Sequence, residues 1–495
     1  MIESVLGGIS VAMGVTPFLA VLAGIVLGIM VGAMPGLSPS MGVALLVPFT
    51  YGMSPLLALM LLVGIYIGAS YGGSITAITI NAPGTASAVA TGLDGYPLTQ
   101  KGRPATALGV SIVTSASAGM VGTVILILFS IPLAALAVRF HPAEYFAIAL
   151  FGLATIASLG GRNWLKAFVA ALLGLLINTV GTDPISGAER FTFNITALSD
   201  GFMLIPALIG LFALSEVFTG IEKKDFHAAR LDRLADTWPR FADYWRLKFV
   251  ALRSSLIGTL IGIFPGAGAT IASFISYDVS KRLSRRKEEY GQGCDEGVCA
   301  AEGANSGSVG GAMVPLLTLG IPGSATTAVL IGAMMIHDLT PGPQLFLSDP
   351  DIIYGIFGAM LLANLLLLVV GLAGSRLWIQ VTSIPKNVLF VLITMMSVIG
   401  AFAVRNSMFD VFCCLGFGIL GWLLRRYGYP LAPIILGIVL GSIAEDNFRR
   451  AIIMDGGSVF FTRPLSAVML ALAVLSFIVP LLRKRRSTRS DPPEI

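Results

Sequence analysis

The chain has 495 residues, of which 55% are hydrophobic and 12% charged, with a mean hydropathy of +0.86. Soluble domains average about 25% charged residues, so the composition excludes a soluble enzyme or binding module and reads as an all-α polytopic membrane protein. The net charge of +5 is no nucleic-acid signal, because the bases gather in short segments: Lys101 and Arg103, Arg162 and Lys166, 222–248, 281–287, Arg425 with Arg426, and 483–486.

The opening "MIESVLGG" carries an acid and no basic cluster, so it does not read as a cleavable signal peptide. No charged residue follows between Glu3 and Asp94, yet this run is broken at Pro35-Gly36 and again at Pro83-Gly84. Charge-free stretches recur at 105–138 and 167–182. The segment 222–248 mixes both signs with Trp238, Tyr244 and Trp245 and is expected to hold an interfacial amphipathic helix. Beyond it come a break at Pro265-Gly266, the basic loop 281–287, Glu302 at the head of another charge-free run, and a break at Pro322-Gly323. Further apolar stretches at 355–375, 387–404, 427–444 and 465–482 bring the expected total to about 12–14 spanning or half-spanning helices. The four cysteines, Cys294, Cys299, Cys413 and Cys414, show no metal-like spacing.

The chain repeats itself. Gly28, Gly32 and Pro35-Gly36 recur as Gly258, Gly262 and Pro265-Gly266, displaced by 230 residues; Gly68, Gly72 and Pro83-Gly84 recur as Gly307, Gly311 and Pro322-Gly323, displaced by 239. Broken hydrophobic segments at corresponding positions of two halves point to a secondary-transporter site near the membrane midplane. Alternating the spans between basic loops places the N-terminus outside and both 222–248 and the tail inside, so the repeats have opposite starting sides and inverted topology. Arg449 and Arg450 do not fit this alternation. The expected divisions are a first repeat over 1–221, a cytoplasmic linker over 222–248, a second repeat over 249–482 and a basic tail over 483–495.

At each break proline removes a backbone donor and glycine permits the angles that end a helix. Ser38 before Pro39 is a good N-cap for a new helix, as are Thr85 and Ser324, whereas the sequel to Pro265-Gly266 lacks one. Each restart exposes N–H groups and about half a positive charge, which binds anions without a basic side chain. The predicted substrate-binding set is Pro35, Gly36, Ser38, Ser40, Asn81, Pro83, Gly84, Thr85 and Ser87 in the first half, with Pro265, Gly266, Gly268, Asn305, Ser306, Pro322, Gly323, Ser324 and Thr326 in the second. Four helix ends give roughly +2, too little for a di- or tricarboxylate, so a co-bound Na+ (or H+) is expected. Asn81, Asn305, Glu302 and Asp278 are its candidate ligands, and no resident cofactor or structural metal is expected. Glu302 fits either a site within the membrane or a place at its face.

At "GAMPGLSPSMGVALLVPFTYG", "YIGASYGGSITAITINAPGT", "FPGAGATIASFISYD" and "LLTLGIPGSATTAVLIGAMMIHDLTPGP" the chain resembles the large membrane subunit of tripartite tricarboxylate transporters, the TctA permease family. The resemblance runs from about residue 28 to 346 and more weakly to the end. It implies import of citrate-like or other organic carboxylates across a bacterial inner membrane, driven by a cation gradient. It also implies a small TctB-like membrane subunit and a TctC-like periplasmic solute-binding protein as partners. Two departures flank the expected site: Gly303 and Ser306 stand where alanine and asparagine are expected, and Thr85-Ala86 where the family often has a proline.

Two other classes compete. Gly72-Gly73-Ser74 suggests an intramembrane serine nucleophile, but the only histidines, His141, His227 and His337, offer no evident base. A passive anion channel or a different exchanger would also use broken helices, and no GxxxxGK[ST] motif supports direct ATP drive.

Overall fold

The computed structural model describes residues 2–34, 36–159, 164–183, 185–223, 241–266, 268–381 and 386–487. Pro35, Arg162, His227, Trp238 and the end of the basic tail lie outside them. Among the described residues the protein is helical apart from a two-residue antiparallel pairing of Gly181 and Thr182 with Arg190 and Glu189. Among the same residues seven helices are long and apolar enough to cross a membrane, and six shorter apolar helices accompany them.

The chain forms two compact units, one from Met1–Ala135 with Ile205–Trp422 and the other from Leu136–Leu204 with Leu423–Ile495. In the first unit, α1 (Ile2–Ala12), α2 (Val15–Gly32), α3 (Pro39–Leu46), α4 (Pro55–Ile80), α5 (Ala88–Gln100) and α6 (Pro104–Ala137) follow in order. In the second, α7 (Pro142–Leu159) and α8 (Trp164–Asn178) precede the short hairpin. The first unit resumes with α9 (Leu204–Glu222), α10 (Lys248–Ile263), α11 (Gly268–Leu283), α12 (Asp295–Leu319), α13 (Ala325–Ile336), α14 (Pro350–Ala373), α15 (Lys386–Arg405) and α16 (Met408–Arg426). The last helices, α17 (Ala432–Asp455) and α18 (Pro464–Ser487), belong to the second unit.

Glycine decides how the first unit packs. Between membrane helices there is little hydrophobic driving force, so small residues that let backbones approach set the contacts. A Cβ at Gly28 or Gly32 of α2 would lie 2.5 Å and 2.3 Å from the carbonyl oxygens of Ile65 and Ala69 on α4; at Gly68 or Gly72 it would lie 2.6 Å from those of Ile25 and Ile29. The second half reproduces this crossing position by position. Cβ atoms at Gly258 and Gly262 of α10 would meet the Ala304 and Ser308 oxygens of α12 at 2.2 Å and 2.5 Å, and at Gly307 and Gly311 those of Ser255 and Thr259 at 2.6 Å and 2.2 Å. Every contacting pair is related by the sequence displacements of 230 and 239.

The breaks repeat as well. Gly36 and Gly266 both take positive φ, +98° and +82°. α4 ends on left-handed Asn81 and α12 on left-handed Gly320, with the following N–H groups of Ala82 and Ile321 returning to Thr76 and Pro315 at 3.2 Å each. The restarted half-helices then pair across the halves, α3 with α13 and α5 with α11. The two pairings correspond to each other under the same sequence displacements.

The second unit is held by another glycine crossing, Gly174 of α8 against the Ile434 oxygen and Gly437 of α17 against that of Ala171, and by the ring cluster Phe146, Phe448 and Phe460. Its hairpin explains the arginine that disturbed the loop-charge pattern. Arg449 donates to Asp183 at 2.6 Å and pairs with Glu445 at 2.7 Å, while Arg190 pairs with Glu445 at 2.6 Å. Arg449 therefore serves an internal ion network. The backbone N–H of Ile185, then Arg449, hold the Asp183 carboxyl well below the ordinary carboxylate range. A depressed value means that this stabilisation is complete above the unfolded carboxylate range near pH 4 and is lost as pH falls toward the folded value. Limited proteolysis of the hairpin should therefore accelerate on acidification below that range, and Arg449→Ala should bring the loss at a higher pH.

Candidate functional site

The predicted restarts form where local chemistry places them. Ser38 is the N-cap of α3, its hydroxyl accepting from the Met41 N–H at 3.4 Å and lying 2.9 Å from the Ser40 hydroxyl. Ser324 is the N-cap of α13, accepting from the Thr327 N–H at 3.2 Å while its own N–H donates to the Thr327 hydroxyl at 2.8 Å. At the third restart the cap differs from the expectation: α5 begins at Ala88 with Ser87 at the N-cap position and no side-chain cap, while the Thr85 hydroxyl accepts from the Ala88 N–H at 3.2 Å and lies 3.1 Å from that of Ser87 in the turn before the helix. α11 begins at Gly268, with φ +60°.

The four breaks are not equivalent. The Gly84 N–H donates to the Gly73 carbonyl at 3.1 Å and the Gly266 N–H to the Gly323 carbonyl at 3.3 Å, so both donors are engaged within the fold. Gly84 and Gly323 are packed tightly, a Cβ meeting the Gly32 oxygen at 2.2 Å and the Ala312 Cα at 2.7 Å. Gly36 is exposed, and its nearest neighbour to an added Cβ is the Glu216 carboxylate at 3.0 Å. The first turns of α3 and α13 keep N–H groups with no intrahelical acceptor, as any helix does. The serine cap of α13 is also reached from the first half, the Tyr66 hydroxyl lying 3.2 Å from that of Ser324. Thr326 is buried on this turn, Pro322 and Pro265 are buried beside it, and Pro83 is exposed.

A second polar cluster lies between α4, α5, α6 and α12. Glu302 is fully buried. Its Oε2 accepts from the hydroxyls of Ser74 and, at 2.9 Å, Thr91; its Oε1 accepts from Ser115 at 2.9 Å and from the Asn305 amide at 3.0 Å. The same amide nitrogen donates to the Ser70 carbonyl at 2.9 Å, which fixes its orientation, and the Asn305 Oδ1 is buried without a partner among the described residues. The Glu302 carboxylate is thus enclosed by protein on every side. Ser74 spends its hydroxyl on this carboxylate, and no histidine touches it among the described residues; His337 instead contacts Thr50 at 3.2 Å.

Two cation candidates lie elsewhere. Asp278 is 55% exposed and pairs with Arg282 at 2.8 Å, and Asn81 is an exposed helix C-cap. Ser306 lines a small cavity with Ile67, Thr123, Met360 and Asn364, and its short side chain leaves room where asparagine was expected. At Gly303 an alanine Cβ would stand 2.1 Å from the Ser254 hydroxyl, which would have to turn away to admit it.

Sequence reasoning missed Thr91, Ser115 and Tyr66, which carry no local signal, and Glu216. Glu216 had one: it is a carboxylate in an apolar helix, just after the π-helical turn Gly210–Leu214, and both features favour functional positions. Asp94 was passed over as the first charge after a long run, yet it is fully buried and ties the repeats together. It accepts from the N–H groups of Gly291, Gly293 and Cys294 at 2.8–2.9 Å and from the Tyr277 hydroxyl at 2.8 Å. Asp94→Ala orphans all four donors and should cost about 3 kcal/mol, read as a lowered thermal-unfolding midpoint.

Broken helices paired across two repeated halves, two of them serine-capped at their restarts and one bonded to a buried carboxylate, define a polytopic membrane protein of the transport class. The chain belongs to the family described as "Tripartite tricarboxylate transporter TctA family", whose model matches residues 18–436. It is 38% identical over 449 residues to an "Uncharacterized 52.8 kDa protein in TAR-I ttuC' 3'region" of Agrobacterium vitis, covering 90% of this chain and 89% of that one. It is 41% identical over 236 residues to an "Uncharacterized protein in TAR-II ttuC' 3'region" of the same organism, 47% of this chain and 98% of that relative. No solved structure matches it.

Proposed function

We propose that the protein is the permease subunit of a secondary active transporter that imports organic carboxylates across a bacterial inner membrane by cation symport, Na+ or H+ being the coupling ion. Its two repeats, 1–221 and 249–482, run in opposite senses through the bilayer about the 222–248 linker, and alternating access moves part of one against the other. A small membrane subunit assembles with it, and a periplasmic solute-binding protein delivers the substrate. The reading is carried by the α3–α13 pair: two helices in contact, one from each half, each begun by a serine cap and with no lysine or arginine in its break motif. Such ends hold carboxylate oxygens by N–H groups and hydroxyls.

Vesicles holding the assembled transporter test this with radiolabelled citrate, malate and succinate. At least one of the three should accumulate against its gradient, and accumulation should collapse when the cognate binding protein is omitted. Anion conductance without that protein would select a channel instead.

A further inference from the structure

The buried Glu302 cluster raises a question of charge. A fully buried carboxylate normally has a cationic partner, because an uncompensated charge in a low-dielectric interior is costly. Among the described residues its partners are three hydroxyls and one amide. The other titratable groups on elements packed around it supply no cation to it. Tyr71 of α4 is a phenol and brings no positive charge. Asp94 of α5 is occupied by Tyr277 of α11 and the 291–294 loop, and α6 has no titratable residue between Pro104 and Ala137. Arg253 of α10 donates to Ser280 at 2.8 Å, and on α12 itself Glu296 is bound to Ser284 and Arg286, while Cys299 is a buried thiol.

The donor set says which ion suits the place. A hard metal cation needs a shell of oxygen lone pairs. Here both carboxylate oxygens already accept two hydrogens each, and the Asn305 side chain is fixed by the Ser70 carbonyl with its nitrogen, not its oxygen, toward Glu302. Hydroxyls are different, since each can donate to a carboxylate or turn and accept from a carboxylic acid. Oε2 is served by hydroxyls alone, those of Ser74 and Thr91, whereas Oε1 must keep the amide bond.

We propose that Glu302 is the coupling-ion site of the transport cycle and that the ion is a proton, carried on Oε2 and accepted there by Ser74 or Thr91. This rests on the symport reading above. One proton from the periplasmic side converts the carboxylate to the acid, and the same proton leaves to the cytoplasm when the acid ionises. Thr91 links the event to substrate, because it sits one turn inside α5, whose first residues follow the Pro83-Gly84 break. The repeat gives the site no twin: the first-half counterpart of Glu302 is Val63, so one such proton is carried per cycle.

Glu302→Gln, a permanent mimic of the neutral acid, is the test, in vesicles containing the full transporter and its binding protein with citrate, malate and succinate as probes. The wild type should accumulate its substrate under an imposed proton gradient without sodium. The variant should lose that accumulation yet exchange internal for external substrate within about threefold of the wild-type rate. Accumulation by the variant under a proton gradient, or wild-type uptake that needs sodium and ignores pH, overturns the proposal while leaving carboxylate transport intact.

Difference infrared spectra between acidic and alkaline buffer give a readout independent of transport. They should contain a protonated-carboxyl band that Glu302→Asp shifts and Glu302→Gln removes; a spectrum unchanged by Glu302→Asp also overturns it. If the wild type shows the band but accumulates none of the three probes, the carboxylate reading fails and the proton site stands.

Discussion

Gly258→Ala, a change of one methyl group, should prevent the first compact unit from assembling. The new Cβ would stand 2.2 Å from the Ala304 carbonyl oxygen and 2.6 Å from its Cα, both backbone atoms that cannot swing aside. α10 and α12 would have to separate along their whole crossing, at a cost of about 3 kcal/mol or more. Gly28→Ala, its counterpart in the first half, should behave the same way, with 2.5 Å to the Ile65 oxygen. Gly416→Ala on α16 is the control, because nothing lies within 4 Å of its added Cβ. That change should leave stability unaltered or raise it by about 0.5 kcal/mol through lower backbone entropy. Size-exclusion profiles and thermal unfolding of the three variants decide the matter; a monodisperse, wild-type-like Gly258→Ala would contradict the packing.

Gly36→Val separates binding from folding in a way that Gly84→Val and Gly323→Val cannot. At φ +98° a valine is strained by about 1–2 kcal/mol, which a large membrane protein can absorb. Its side chain would project toward the Glu216 carboxylate, just before the start of α3. Carboxylate affinity should fall at least about tenfold, equivalent to about 1.4 kcal/mol, while thermal unfolding moves little. Gly84→Val and Gly323→Val should instead fail to fold, since they collide with the Gly32 carbonyl and with Ala312. Titration calorimetry on Gly36→Val with citrate, malate and succinate, set against its melting curve, reads both quantities; unchanged affinity would remove Gly36 from the site.

The helix breaks and the repeat were legible because their causes are local. Proline, glycine and a following serine or threonine specify an end and a restart within six residues, and glycine spacing of four specifies a face. The same locality let Ser38 and Ser324 be named as caps before any packing was known. Glu302 was legible only as a carboxylate in an apolar run; its depth was not, because Thr91 and Ser115 come from 211 and 187 residues away. Asp94 escaped for the same reason, its acceptors' partners lying 183–200 residues downstream. Asp278 shows the converse, a carboxylate near a predicted break that faces outward to Arg282. Arg449 shows how a loop-charge count fails when an arginine is consumed by an internal network, here with Asp183 and Glu445.

The most direct measurement is the position of a bound carboxylate in the assembled transporter, by electron cryomicroscopy with the citrate, malate or succinate that it accumulates. The account predicts carboxylate oxygens within hydrogen-bond distance of the first turns of α3 and α13, touching the hydroxyls of Ser38, Ser40 or Ser324. Density lodged instead in the cavity between Thr123, Ser306 and Asn364, with both helix starts unoccupied, would contradict it.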